Sequence, residues 1–525
     1  MPMKTPRILF ALLLGLALHL PVQAADLSIG LAADVSSLDP HYLNVAPNIA
    51  IASHFFDTLV TVDADSKLAP GLAESWKAIN ATTWEFKLRR GIKFSDGSEL
   101  TTEDVVFSLN RPATLTNSPG PFTPFTKIIS GKQAVDAHTL RLTTSQPYGP
   151  LPLDLSSIFI VSKKAAENAS SEDFNSGKAL VGSGPYTLLR FKRGESIEMA
   201  RNALWWGYRD GRATQWDKVT FRLLPADGPR LAALLAGQVD AIEGAPAADL
   251  PRLKADARFH LEQRISWRTL FLQLDQYRDK SPFITDANGK ALEKNPLKDA
   301  RVRLALSKAI HRQALTERTL EGLGVPAANV VSPGILGHVA ARKVEAYDPD
   351  GARQLLQEAG YADGFSLTLH GPNNRYINDD QILQTVAQFW SRIGVKTKVE
   401  TMPLSVYFGR LRKADFSIGL LGWGSLAGDF ALKNLVATPN AAEGWGAWNW
   451  GQYSNPKVDQ LLHESLASVD DGKRRKLAEQ TATAALGDTA LIPLHHQIAT
   501  WAMKKGLRAT PRLDEFTFAW QFRPE

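Results

Sequence analysis

The chain has 525 residues, of which 44% are hydrophobic and 22% charged, with a formal net charge of +6. This length exceeds what one hydrophobic core usually covers, so we expect two or three domains of a soluble, globular kind. The mild charge, without a dense basic block, argues against nucleic acid as a partner. Because the chain has no cysteine, disulfides, thiolate metal sites, cysteine nucleophiles and a lipid anchor on cysteine are excluded.

The first 24 residues have the pattern of a cleaved secretory signal. Lys4 and Arg7 precede an apolar run at 8–20, and "VQAAD" offers a cleavage site between Ala24 and Ala25. The run is too short to span a bilayer comfortably, which disfavours the alternative of a membrane anchor. Since an exported protein without a lipid anchor is retained only by an outer membrane, we predict the periplasm as its location.

Strand and helix patterns intermingle along the rest of the chain. "TWEFKLR" (83–89) alternates apolar and charged residues, as in a half-buried strand. "DARVRLALSKAIHR" (299–312) repeats apolar residues at helical spacing. Thr101 with Asp104, and Asp348 before a proline, are typical helix starts. The fold class is therefore α/β or α+β.

No sequence motif points to an enzyme. The phosphate-loop, dinucleotide, zinc-protease and serine-hydrolase motifs are absent. His495 and His496 are adjacent, so in a strand they point to opposite faces and do not grip one metal ion together. A contact from one of them to nickel or haem stays open as an alternative. A secreted glycosidase also stays open, because its two acids come from distant segments.

The stretch "LLGWGSLAGDF" (420–430) crowds glycines around a lone tryptophan. Glycine costs about 1 kcal/mol per residue in a helix interior, so this stretch is not helical. We predict a strand at 416–421 that ends in a loop carrying Trp423, with Asp429 further along.

Several blocks together, in this order, resemble one family. They are "LAPGLAESWK" (68–77), "WEFKLRRGIKFSDGSELTTEDVVFSLNR" (84–111), "GSGPYTLLRFKRGESIEMARNALWW" (182–206), "DARVRLALSKAIHR" (299–312), "YDPDGARQLLQEAGY" (347–361), "IGVKTKVE" (393–400), "YSNPKVDQLL" (453–462) and "IPLHH" (492–496). The chain resembles the extracellular solute-binding protein family 5. That family includes the oligopeptide, dipeptide, glutathione and nickel binding proteins of ABC importers.

The resemblance implies an α/β, two-lobed periplasmic-binding-protein fold of type II, in the large variant with an extra subdomain in the first lobe. Residues 25–70, 178–270 and 493–525 would form the first lobe, 71–177 the extra subdomain and 271–492 the second lobe. It further implies a monomer without cofactor or catalytic activity, which binds a small molecule or short peptide between closing lobes. An inner-membrane ABC permease and its ATPase are the implied partners.

The resemblance also implies which loop lies beside the ligand. In the family's peptide binders this is the loop after the Gly-Trp, here Trp423, Gly424, Ser425 and Leu426. Those proteins hold the peptide α-ammonium with an Asp three residues after the Trp, where this chain has Leu426. Asp429 matches a second acid near the next helix, whose plainest role is an N-cap.

A buried ammonium needs a charged partner, and Leu426 supplies none. Three alternatives are therefore open. The ligand has no free amine, as in an acylated peptide, an opine or a sugar; or the loop shifts so that Asp429 takes over; or an acid elsewhere supplies the charge.

Two further segments match ligand contacts of the family by position. Asn44, Val45 and Ala46 fall where the backbone pairs with a bound peptide as an added strand. Arg375 falls where dipeptide binders hold an arginine for the C-terminal carboxylate, and Tyr376 would line the same wall. An ordinary surface loop is the alternative for both segments.

The segment "EGWGAWNWGQYSNP" (443–456) interleaves tryptophan with glycine. Trp445, Trp448 and Trp450 are candidates for stacking on the ligand, and Asn449 and Tyr453 are weaker ones. Packing beneath a loop is the alternative.

Overall fold

The computed structural model describes residues 25–115 and 117–525. The predicted signal segment at 1–24 lies outside the described residues. Within these two ranges, no helix is long and apolar enough to cross a membrane.

The strands, in chain order, are β1 Asp26–Leu31, β2 Val60–Val62, β3 Leu68–Pro70, β4 Ala73–Asn80, β5 Thr83–Leu88, β6 Ile129–Asp136, β7 Thr139–Thr144, β8 Tyr186–Lys192, β9 Ser196–Arg201, β10 Lys218–Leu223, β11 Ala241–Glu243, β12 Phe259–Leu274, β13 Ile284–Thr285, β14 Gly324–Pro326, β15 Phe365–Pro372, β16 Val395–Met402, β17 Ile418–Trp423, β18 Leu491–Lys504, β19 Leu507–Ala509 and β20 Phe522–Pro524.

The α-helices are α1 Ala46–Phe55, α2 Thr102–Asn110, α3 Thr123–Thr126, α4 Leu151–Asp154, α5 Lys163–Ala166, α6 Ser171–Asn175, α7 Asp227–Leu235, α8 Leu250–Ala255, α9 Ala300–Lys308, α10 Arg312–Ala314, α11 Pro349–Glu358, α12 Asp379–Ser391, α13 Leu404–Arg412, α14 Gly428–Leu435, α15 Pro456–Ala467 and α16 Asp471–Gly487.

One long sheet runs through the molecule. Its strand order is β13-β15-β17-β12-β18-β11-β1-β10-β9-β8, with β14 added on β18 and β16 added on β15. A separate four-stranded sheet, β4-β5-β7-β6, forms the centre of what we call the N-terminal subdomain. Its core includes residues from Leu59 to Trp206.

The chain passes between two hydrophobic cores along β12 and β18, which pair antiparallel with each other. At one end of this pair, Leu261 and Ile498 pack against the core beside β11. Towards the other end, Leu270 and Ile492 belong to the core beside β15 and β17. We call the part built on β1 and β8–β11 the first lobe, and the part built on β13 and β15–β17 the second lobe.

The local signals at helix starts are confirmed. Thr101 and Asp104 form a capping box at the start of α2. Asp348 caps α11, and its Oδ1 accepts a hydrogen bond from the Gly351 amide at 2.8 Å. The strand predicted at 416–421 exists as β17 but is displaced by two residues. Pairing with β12 continues as far as Trp423 opposite Thr269, which keeps the tryptophan inside the strand.

Candidate ligand-binding cleft

The Gly-Trp segment ends β17 directly beside the crossing strand β12. Its glycines are required by close neighbours. A Cβ at Gly422 would lie 2.7 Å from Cε1 of Tyr376, and a Cβ at Gly424 would lie 2.6 Å from Nε1 of Trp267. The Gly422 amide also donates to the Tyr376 hydroxyl at 2.9 Å. The Tyr376 hydroxyl thus bonds to the backbone of β17 rather than facing a ligand.

Half-buried aromatic side chains continue from Trp423 across the second lobe. The Trp423 ring centroid lies 5.4 Å from that of Trp448 and 6.3 Å from that of Phe430. Trp448 in turn contacts Trp450 at 4.9 Å and Phe408 at 5.6 Å. We call these five residues the aromatic wall. Such a surface can stack on planar groups of a ligand.

Two indole N–H groups at this place have no hydrogen-bond partner among the described residues. They belong to Trp423 in the aromatic wall and to Trp267 beside Gly424, and both nitrogen atoms are buried. An unpaired buried donor costs about 1–3 kcal/mol. An acceptor on a solute, or a water molecule, would remove this cost.

Trp445 lies apart from the aromatic wall. It is 7% exposed, belongs to the core of the second lobe and packs on His463 with ring centroids 4.0 Å apart. The Asn449 side-chain amide donates to the carbonyls of Ala437 and Tyr453. These contacts give Trp445 and Asn449 structural roles that need no ligand.

Asp429 is not the N-cap of α14; that prediction was wrong. The helix begins at Gly428, with Ala427 as N-cap. The Asp429 side chain is completely buried and accepts hydrogen bonds from Arg474, at 2.6 Å from Nε and 3.0 Å from Nη2. Leu426 is half-buried in the same loop. The loop therefore carries no carboxylate available to an ammonium in this conformation.

In the segment Asn44–Ala46, which we expect to pair with a peptide, two backbone amides already donate hydrogen bonds within the protein. The Asn44 amide donates to the Gly120 carbonyl at 2.8 Å, and the Val45 amide donates to the Leu43 carbonyl at 3.0 Å. Val45 is also the N-cap of α1, which begins at Ala46. Pairing of this segment with a ligand stays a prediction, and it would require these amides to change partners.

A charged group that sequence reasoning missed lies near Arg375. Arg268 on β12 and Glu515 in the C-terminal segment form an ion pair, with 2.7 Å between Arg268 Nη2 and Glu515 Oε2. Gln497 donates to the same carboxylate at 3.2 Å. Burial raises the pKa of Glu515, but Arg268 and, more weakly, Arg375 outweigh burial and hold the pKa below its usual range. Glu515 has φ of 65°, a left-handed conformation that is costly for a non-glycine residue.

Arg375 itself is exposed, and its guanidinium lies over the Tyr376 ring at 5.4 Å. Its side chain forms no ion pair within residues 25–115 and 117–525. No local signal links Arg268 to Glu515, because 247 residues separate them. Together the three side chains carry a net charge of +1.

The two adjacent histidines are buried in β18. His496 Nδ1 lies 2.9 Å from the Thr269 hydroxyl, and burial lowers the pKa of His496 to about 4. Burial lowers the pKa of His495 to about 3. In the part of the chain that the structure describes, no group of three His, Cys, Asp or Glu side chains could hold a metal ion.

The sequence model of the bacterial extracellular solute-binding proteins, family 5 (middle region), matches residues 67–438. The chain belongs to this family. Glutathione-binding protein GsiB of Escherichia coli (strain K12) is 27% identical over 483 residues, 90% of this chain and 89% of that protein. Heme-binding protein A of Haemophilus influenzae is 26% identical over 462 residues, 82% of this chain and 79% of that protein.

The solved structure of HbpA2 from Haemophilus parasuis matches with a TM-score of 0.80 at 22% identity, covering 95% of this chain and 100% of that one. This likeness confirms the α/β, two-lobed periplasmic-binding-protein fold. Membership of family 5 also confirms the prediction of a solute-binding component of the ABC-importer type. The family and the fold neighbours are substrate-binding transport proteins, not enzymes.

Proposed function

We propose that this family 5 protein is a periplasmic, monomeric binding component that captures a short peptide or peptide-like solute between its lobes. It delivers the solute to an inner-membrane ABC permease driven by an ATPase. The observation that carries the proposal is the aromatic wall, whose member Trp423 lies directly beside the strand that crosses between the lobes. The names of two relatives, glutathione-binding and heme-binding, fit a solute with peptide or planar groups.

Bending of β12 and β18 would open and close the cleft. The register between these strands is irregular from Ile265 to Thr269 and again between Leu270 and Phe271. We place the lobe boundaries near these irregularities, at 270/271 and 492/493. The unpaired indole donors of Trp267 and Trp423 support coupling of closure to the ligand, since acceptors on the solute would relieve their cost.

The recognised end of the solute is its carboxylate, in this proposal, and its amine is either absent or left in water. Leu426 replaces the acid of the family's peptide binders, and Asp429 is committed to Arg474. Glu515 is likewise committed to Arg268. Arg375 is then the uncompensated charge, and its planar fork matches a carboxylate.

A thermal-shift screen of the mature protein, stripped of ligand by reversible unfolding, tests this proposal. The panel holds di- to pentapeptides, their N-acetylated and C-amidated forms, glutathione, opines, small sugars and haemin. A ligand at 100 times its Kd adds about 2.7 kcal/mol to the folded state, which is readily measured. We expect acetylated peptides to raise the melting temperature as much as free ones, and amidated peptides to raise it less.

Other outcomes have definite meanings. If acetylation abolishes the shift, an acid does hold the amine, and Glu515 and Asp429 are the first residues to replace. If haemin alone shifts the melt, the aromatic wall binds a planar solute and the peptide proposal is wrong. A panel without any stabilising peptide or peptide-like solute would overturn it as well.

A further inference from the structure

The N-terminal subdomain contacts the second lobe at a place separate from the crossing strands β12 and β18. The contact is made by residues 145–154, which we call the docking loop. The Gly149 amide donates to the carbonyl of Leu466, near the end of α15, at 2.8 Å. A Cβ at Gly149 would overlap the carbonyl oxygen of Ser468. Only glycine lets the two backbones approach this closely.

Side chains on both sides extend the contact. Tyr148 of the docking loop packs against the core of the second lobe, and Val469 of the second lobe packs against the subdomain core. Phe125 of α3 stacks on Phe430 of α14, with ring centroids 6.1 Å apart and planes 24° apart. Phe430 belongs to the aromatic wall, so this contact closes the wall at one end.

Charges complement each other across the same contact. Asp154 on the subdomain side is buried and accepts a hydrogen bond from the Tyr148 hydroxyl at 2.7 Å. Asp154 forms no ion pair of its own within the described residues. The facing groups of the second lobe are Asp429, Arg474 and Lys433, which together carry +1. When Asp154 is ionised, the contact brings a net −1 against a net +1, but the cost of burying the carboxylate outweighs this attraction.

We propose that the docking loop is a latch, which engages α14 and the turn between α15 and α16 only when the lobes close, and which separates from them when the lobes open. The proposal rests on the proposed function, because it requires lobes that move. The latch would hold the closed form by one backbone hydrogen bond, the stack of Phe125 on Phe430 and the packing of Tyr148 and Val469.

The latch has a consequence for pH. Burial raises the pKa of Asp154 to about 7, against the Tyr148 hydrogen bond and the charges of Arg474 and Lys433, which lower it. Asp429 adds a smaller upward effect. A carboxyl exposed in an open form would titrate near its ordinary value of about 3.9. The closed form thus binds the proton more tightly, so closure takes up a proton between pH 4 and 7 and weakens as pH rises through about 7.

Distance measurements on the ligand-free protein test the latch. Because the chain has no cysteine, V135C and K457C, both at exposed positions, accept a unique fluorophore pair on the subdomain and the second lobe. Gly149→Ala should move the population towards the longer, open distance at pH 6. Gly228→Ala is the matched control, since a Cβ there meets nothing within 4 Å, and it should leave the distances unchanged.

The variant Asp154→Asn provides a second test of the latch in case Gly149→Ala folds poorly. The closed fraction of the wild-type protein should rise as pH falls from 8 to 5, by up to about tenfold per pH unit in the closing equilibrium. Asp154→Asn should remove most of this dependence. Unchanged distances in Gly149→Ala, or the same pH dependence with and without Asp154→Asn, would overturn the latch. A pH-dependent closure in a protein that binds no solute of the panel would keep the latch and refute the ligand proposal.

Discussion

Two arginine–carboxylate pairs lie near the cleft, and they differ mainly in their access to water. In the pair of Arg268 with Glu515, the side chains are 11% and 19% exposed. In the pair of Arg474 with Asp429, they are 5% and 0% exposed. The first pair also interacts with Gln497 and Arg375, whereas the second is enclosed by α14, α16 and the docking loop. The first pair and Arg375 thus form a charged cluster with some access to water, whereas the second pair is sealed from water.

The two pairs should differ most in the free energy of unfolding that is lost when the acid of each pair is replaced by its amide. Asp429→Asn leaves the Arg474 guanidinium buried without a counter-charge, which typically costs about 3–5 kcal/mol. Glu515→Gln leaves Arg268 with some access to water, so we expect a smaller loss. Urea denaturation of the two variants at pH 7 measures both free energies of unfolding.

The double variant Asp429→Leu with Arg474→Met is the control for this prediction. Replacing both charges by apolar groups should recover most of the stability lost by Asp429→Asn. Equal losses in Asp429→Asn and Glu515→Gln would show that burial does not distinguish the pairs.

The sealed pair also shows what sequence patterns miss. The helix starts at Thr101 and Asp348 were predictable because a cap bonds its own neighbours within three residues. Asp429 was assigned to a cap by the same reasoning, but α14 begins one residue before it, and its carboxylate binds Arg474, 45 residues away. A partner that distant is selected by how α14 and α16 pack, and no periodicity or motif encodes that packing.

Resemblance singled out Trp423, which belongs to the aromatic wall. The predicted loop position of this residue was wrong, because β17 continues through Trp423. The resemblance could not identify Arg268 and Glu515, which come together only because β12 and the C-terminal segment meet in the fold. It could not separate Trp445, a core residue, from Trp448, a wall residue, because both occur in one glycine-rich segment.

A second sealed group, His496, allows the comparison to be tested by pH. Its pKa is lowered to about 4 by burial, whereas an unfolded histidine titrates near 6.5. Its contribution to stability is therefore complete above pH 6.5 and is lost as pH falls towards 4. His496→Gln should make the decline in unfolding free energy from pH 7 to pH 5 shallower by about 2 kcal/mol.

The variant His463→Gln, at an exposed histidine, is the control for replacing a histidine by glutamine. Chemical denaturation at a series of pH values gives the comparison. Parallel pH profiles for His496→Gln and the wild-type protein would contradict the assignment of a buried, neutral imidazole.

Within the cleft, the wall and the core should respond differently to removal of an indole. If the aromatic wall contacts the solute as proposed, Trp423→Ala should weaken the natural ligand at least tenfold, or by about 1.4 kcal/mol. Trp445→Ala should leave the affinity unchanged but lower the unfolding free energy by about 3 kcal/mol, because it opens a cavity in the second lobe. Calorimetric titration with the best solute of the screen and urea denaturation separate the two effects. An unchanged affinity in Trp423→Ala would remove the wall from the site.

The smallest effect on ligand affinity should come from replacing Arg375, the exposed member of the charged cluster with Arg268 and Glu515. Its guanidinium lies in reach of water, so a bond to a ligand carboxylate is worth little more than an exposed ion pair, and Arg375→Gln should weaken binding by roughly fivefold. The loss should shrink as salt is raised, because added ions screen an exposed charge. Arg268→Lys provides a contrast, since it keeps the charge near Glu515 but removes the two-pronged bond. If Arg375→Gln weakens the binding of amidated and free-acid solutes equally, Arg375 acts through the shape of its loop and not through its charge. The charged cluster would then consist of Arg268 and Glu515 alone.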